Sequence, residues 1–133
     1  MSYLTQKTLK APVSFSGIAL HNGLNVNVTL KSARPNDGIV FKRVDLKENN
    51  LVYPNFLNVT NTSLNTTIEN EYGVKVSTIE HLMGALFGLG IDNVIVEIDN
   101  EEVPILDGSA KNFIEKIISS GFETSEEPIK IIK

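Results

Sequence analysis

The chain has 133 residues, 41% hydrophobic and 21% charged, which supplies enough apolar material for one globular domain with a real core. Its net charge of −4 and pI near 5.1 argue against a nucleic-acid surface, because phosphate-binding domains are usually basic. There is no cysteine for a disulfide framework, and residues 1–5 lack the basic stretch and apolar run of a secretory leader, so the chain is expected in the cytoplasm.

In residues 5–20, Leu9, Ala11, Val13 and Phe15 alternate with polar neighbours before Gly17 interrupts, which predicts a strand that bends. Asn22-Gly23 signals a two-residue hairpin, and Val26, Val28 and Leu30 alternate with Asn27, Thr29 and Lys31 in the returning strand. His21 falls at the rim of that hairpin, where pattern alone makes it a polar residue beside a turn. Residues 34–38 carry turn chemistry and residues 39–44 predict a third strand. Residues 52–59, broken by Pro54, predict only a short strand; residues 64–68 and 74–76 predict two more. The uncharged Thr/Asn-rich stretch at 61–67 reads either as an edge strand or as a rim that contacts substrate.

Ser77 stands three residues before Glu80, a capping-box spacing, and Gly90 suits the position just past a helix end. Between them Ile79, Leu82, Met83, Leu86 and Phe87 recur at helical spacing as a core-facing stripe. His81 falls opposite that stripe with Gly84, Ala85 and Gly88, residues small enough to admit a second element closely. An imidazole in such a cleft is a candidate metal ligand or acid/base. The partial positive charge of a helix start favours neutral histidine and ionised carboxylate, the states a metal site needs. Glu80 keeps two readings, capping residue or general base, and spacing favours the first. One imidazole cannot hold zinc, and with no cysteine a nitrogen or sulfur ligand set could be extended only through His21.

Residues 92–98 form a nearly continuous apolar run, as in a buried strand. Residues 102–109 turn the chain, with Asp107 most simply a turn residue before Gly108. Ser109 can cap a second helix lined by Ala110, Phe113, Ile114, Ile117 and Ile118, with Gly121 past its end. A strand-like run begins at Pro128. These elements predict an α+β two-layer sandwich, a mostly antiparallel sheet with two helices packed on one face.

Four blocks, Gly17-Ile18-Ala19-Leu20-His21-Asn22-Gly23, Ser77-Thr78-Ile79-Glu80-His81-Leu82, Gly88-Leu89-Gly90-Ile91-Asp92-Asn93 and Glu102-Val103-Pro104-Ile105-Leu106-Asp107-Gly108-Ser109, together resemble the N-terminal half of the UDP-3-O-acyl-N-acetylglucosamine deacetylase family. These are zinc amidases of lipid A biosynthesis in Gram-negative bacteria, and the likeness runs from about Thr8 to Gly121. The resemblance implies that His81 is a zinc ligand and Glu80 the general base on the attacking water. It places Ser63, Leu64 and Asn65 on a rim beside the substrate, UDP-3-O-acyl-N-acetylglucosamine, and His21 and Asp107 as supporting polar groups.

Family members carry a second half of similar fold, which supplies another zinc histidine, a zinc aspartate, an acid/base histidine and most of the acyl passage. Residues 1–133 are therefore expected to be a single α+β domain equivalent to the first half, with residues 128–133 beginning the link to the second. The chain would be a shortened form or the product of a split gene. Its zinc site would be incomplete, it would be inactive alone, and the small-residue face beside His81 would meet the missing half. No nucleic-acid partner and no transmembrane segment are expected. The alternative is a stand-alone, non-catalytic binding or scaffolding domain derived from the same family.

Overall fold

The computed structural model describes residues 4–54, 59–61 and 66–129, with 59–61 described by backbone alone. In chain order the elements are β1 (Thr5–Leu9), β2 (Val13–Ile18), β3 (Asn25–Ser32), β4 (Ile39–Arg43), β5 (Leu51–Val52), β6 (Val59–Asn61), β7 (Thr66–Glu69) and β8 (Lys75–Ser77). Helix α1 (Glu80–Gly88), β9 (Val94–Ile98), α2 (Lys111–Ser120) and β10 (Phe122–Pro128) follow. A five-stranded sheet in the order β2-β3-β9-β4-β5 is antiparallel except between β9 and β4. A ribbon of β1 and β10 and a three-stranded sheet of β6, β7 and β8 complete the α+β fold.

The alternating residues of the central strands explain the core. Val26, Val28 and Leu30 of β3 and Val94, Val96 and Ile98 of β9 are buried, and the register sets Val28 opposite Ile98 and Leu30 opposite Val96. Side chains alternate along a strand with a period of two, so this register gives both strands the same buried face. Leu82, Met83, Ala85 and Leu86 of α1 and Phe113 and Ile117 of α2 join the same cluster. The Phe15 and Phe113 rings meet edge-on at 4.7 Å between centroids, fastening α2 to β2.

Several sequence expectations need correction. Residues 5–20 are not one bent strand: β1 pairs with β10 while β2 pairs with β3, and the change of sheet falls at residues 10–12. Pro12 has no amide hydrogen to contribute to a ladder there. The hairpin after β2 is wider than two residues, because pairing stops at Ile18 and Asn25 and leaves residues 19–24 as a loop. Within it Gly23 has φ +70, and the Asn22 side chain accepts the Leu24 amide at 2.9 Å. Strand β10 had no apolar alternation to reveal it, since Phe122–Pro128 is mostly exposed and polar on a peripheral ribbon.

Helix α1 begins without the expected capping box. Ser77 is the last residue of β8 and gives its amide to the Glu101 carbonyl at 2.8 Å, so that amide is not available to Glu80. Thr78, with φ 59, reverses the chain, and Ile79 occupies the N-cap position without a side-chain cap bond. The end of α1 is as expected. Gly90 has φ +71, its amide donates to Phe87 O at 3.1 Å, and the Ile91 amide donates to Leu86 O at 2.9 Å. This double closure needs a left-handed residue after the helix, the conformation glycine adopts most cheaply.

The core stripe is rotated from the one expected. It centres between Leu82 and Leu86 with Met83 and Ala85 at its margins, and Phe87, a step beyond Met83, is 66% exposed. On α2, Ile118 is likewise exposed, whereas Phe113 and Ile117 are buried. Ala110, not Ser109, stands at the N-cap of α2, although Ser109 Oγ accepts the Lys111 amide at 3.2 Å.

The residues after Gly90 anchor the outer ribbon. Asp92 exchanges bonds with Lys7, the Lys7 amide donating to its carboxylate at 2.7 Å and its own amide to Lys7 O at 2.8 Å. The buried Asn93 side chain accepts the Gly38 amide at 2.9 Å and donates to Gln6 Oε1 at 2.9 Å.

Candidate active site at the start of the first helix

Three of the four sequence blocks converge on Glu102, the one buried acidic or basic side chain among the described residues, at 2% exposure. Segment 101–103 lies beside the end of β8, with the Val103 amide donating to Ser77 O at 3.0 Å. Segment 104–106 closes over the end of β2. The Ile105 amide reaches Ile18 O at 3.2 Å, and a Cβ on Gly17 would stand 3.1 Å from Pro104 Cβ. Glycine at position 17 is what lets the two segments touch.

The Glu102 carboxylate is saturated with donors. It accepts the His21 amide at 3.0 and 3.1 Å, the Asn22 amide at 3.1 Å, the Thr78 hydroxyl at 2.8 Å and His21 Nδ1 at 2.5 Å. Burial pushes its pKa up, but the bonds from the His21 ring, Thr78 and the two amides outweigh that and hold it below the ordinary carboxylate range. Glu102 is thus ionised at neutral pH and can only accept, which obliges His21 Nδ1 to carry a proton. The loop at 19–24 and the turn into α1 are pinned to one anion.

Glu80 and His81 occupy the first turn of α1, both half-buried. Glu80 Oε1 is buried and has no hydrogen-bond partner among the described residues. A buried carboxylate oxygen left unpaired costs about 1–3 kcal/mol or more, so such an atom is retained where something else engages it. Among the described residues no three His, Asp or Glu side chains gather closely enough to hold a metal ion, so His21, Glu80 and His81 do not form such a cluster.

Asp107, unlike Glu102, is exposed. It sits in a turn between Leu106 (φ 51) and Gly108 (φ 81) and accepts the Ser109 amide at 3.0 Å and hydroxyl at 2.9 Å, bonds that lower its pKa. Ser63, Leu64 and Asn65 lie outside the described residues. A cavity of about 560 Å³ opens at the far end of α1, lined by Tyr53, Pro54, Met83, Phe87 and Ile91 among others, and none of Glu80, His81, His21 and Glu102 lines it.

Sequence reasoning missed Glu102. Glu102 opens the segment 102–109 that reads as a turn, and the one hint of burial was the apolar Val103-Pro104-Ile105 that follows it.

The α+β scaffold thus sets a carboxylate oxygen without a hydrogen-bond partner among the described residues next to an imidazole in the first turn of a helix. Residues 6–133 match the family described as UDP-3-O-acyl N-acetylglycosamine deacetylase, and the chain belongs to that family. It is 44% identical over 131 residues to the UDP-3-O-acyl-N-acetylglucosamine deacetylase of Haemophilus influenzae (strain PittEE), an alignment that covers 98% of this chain and 43% of the relative. The deacetylases of Pseudoalteromonas atlantica and Colwellia psychrerythraea are 48% and 47% identical over 130 residues, with the same coverage. The chain thus spans less than half the length of the curated relatives it matches.

Proposed function

We propose that this chain is the N-terminal half of a zinc-dependent deacetylase that hydrolyses the N-acetyl group of UDP-3-O-acyl-N-acetylglucosamine in lipid A biosynthesis, in the cytoplasm. The observation that carries the reading is the buried Glu80 Oε1, without a hydrogen-bond partner among the described residues, beside His81 at the start of α1. With no capping bond to explain it, a carboxylate there suits proton transfer better than helix capping. The donor chemistry fits zinc in part: His81 offers one nitrogen ligand, and the rest of the set would come from a second half. When bound, zinc supplies a Lewis acid that polarises the acetamide carbonyl and lowers the pKa of water.

In this reading Glu80 takes the proton of the attacking water, His81 holds the metal, and Ser63, Leu64 and Asn65 border the substrate. His21 and Asp107 support the site. Residues 1–133 form one α+β domain, and residues 128–133 lead toward the second half. Among the described residues no helix is long and apolar enough to cross a membrane, in keeping with a substrate met from the aqueous side.

The test is to supply the missing portion. The chain is joined to, or co-expressed with, the residues that follow the matched segment in the Pseudoalteromonas atlantica relative, and release of acetate from the UDP-sugar is measured. Turnover dependent on both parts is the expected result. A folded, zinc-loaded assembly without turnover would favour a non-catalytic binding domain, the reading to which the lack of a three-ligand cluster among the described residues otherwise lends itself.

A further inference from the structure

We propose that Glu102 is a positioning residue: its carboxylate fixes the His21 ring with Nδ1 protonated and Nε2 unprotonated, and holds that ring in register with the first turn of α1. The inference rests on the deacetylase reading only for its effect on turnover. Its structural content stands on the geometry of the chain itself.

Three observations carry it. First, the anion is fully buried, yet every donor around it comes from elements that carry other polar groups of the site: the His21 ring and amide, the Asn22 amide and the Thr78 hydroxyl. An ion that serves only as filler would be replaceable by an apolar side chain of similar volume, often at no cost in stability. Second, Thr78 takes a left-handed backbone, φ 59, two residues before Glu80, and its hydroxyl is tied to the same carboxylate oxygen that receives His21 Nδ1. The imidazole and the start of α1 are therefore connected through one atom, Glu102 Oε2. Third, the ring remains partly open, its side chain 32% exposed. A neutral imidazole can carry its proton on either nitrogen. A carboxylate on Nδ1 selects one tautomer and leaves Nε2 as the basic nitrogen.

The experiment reads the tautomer directly. Nitrogen-15 spectra of the histidine rings are recorded on the 133-residue chain above the pH at which the imidazoles titrate. His21 is expected to show a protonated Nδ1 and an unprotonated Nε2. In Glu102→Leu, which removes every acceptor oxygen, that preference is expected to be lost, whereas in Thr78→Val, which removes a neighbour but leaves the carboxylate, it is expected to persist. A wild-type His21 protonated at Nε2 overturns the proposal and requires no variant to fold. A tautomer unchanged in a folded Glu102→Leu also overturns it. In the two-part enzyme, Glu102→Gln is expected to lower kcat and alter its pH profile while KM holds. An inactive wild-type two-part enzyme would sink the deacetylase reading and leave the tautomer result standing, so the two failures are distinguishable.

Discussion

Glu80 and Glu102 are both acids near the start of α1, the first half-buried and the second buried, and their surroundings differ in one decisive respect. Every oxygen of Glu102 has donors, whereas Glu80 Oε1 has none among the described residues. For Glu80, replacing the carboxylate by an amide of the same shape breaks no cap and no bond at Oε1 among the described residues. Glu80→Gln is therefore expected to melt at or above the wild-type temperature, as differential scanning calorimetry would show; a loss of about 1 kcal/mol would restore the capping reading. For Glu102 the sign is set by its lowered pKa. A carboxylate whose folded pKa lies below its ordinary 4.5 stabilises the fold above that value, and the contribution is lost as pH falls through the lower folded value. The melting temperature of the wild type should thus drop below about pH 4.5 more steeply than that of Glu102→Gln. Parallel curves would contradict the linkage.

At the scale of the element, α1 shows what periodicity can and cannot convey. Its existence, its end at Gly90 and the burial of Ile79, Leu82, Met83 and Leu86 were legible, because apolar spacing and a left-handed closure both leave residue-type signatures. Its beginning was not, because Ser77 finds its backbone partner in Glu101, a residue 24 positions away that no local rule anticipates. The rotated stripe has a measurable consequence. Leu86→Ala should cost about 2–5 kcal/mol as a core truncation, while Phe87→Ala, at an exposed site, should change stability by no more than about 0.5 kcal/mol in this chain. Equal losses in a denaturant titration would return Phe87 to the core. Position 17 offers a second check. A Cβ there would meet Pro104 Cβ at 3.1 Å and Leu106 Cδ2 at 3.2 Å, so Gly17→Ala should destabilise by about 1–3 kcal/mol as an overpacked contact.

Across the whole molecule the four sequence blocks divide into two jobs. Those containing His21, Thr78 and Glu102 meet at one buried anion beside the first turn of α1, while Gly90, Asp92 and Asn93 close the opposite end of the helix and fasten the outer ribbon. The α+β class was legible from the order of elements. The separation of β1 from β2 and the pairing of β1 with β10 were not, since long-range pairing of polar strands writes no pattern into either. His81 and Glu80 were legible as candidates because they interrupt an apolar helix, and Glu102 was hidden because its burial is imposed by segments distant in sequence. Zinc binding by the isolated chain should be weak for the same geometric reason: titration calorimetry is expected to show no nanomolar site, and finding one would mean that these residues assemble a ligand set on their own. The most direct measurement of the central claim, that Glu80 is a base and not a cap, is the deacetylation rate of Glu80→Gln in the two-part enzyme with its zinc content verified. The account predicts a rate lowered by about 10²–10⁴-fold with zinc and melting temperature retained, and near wild-type turnover would contradict it.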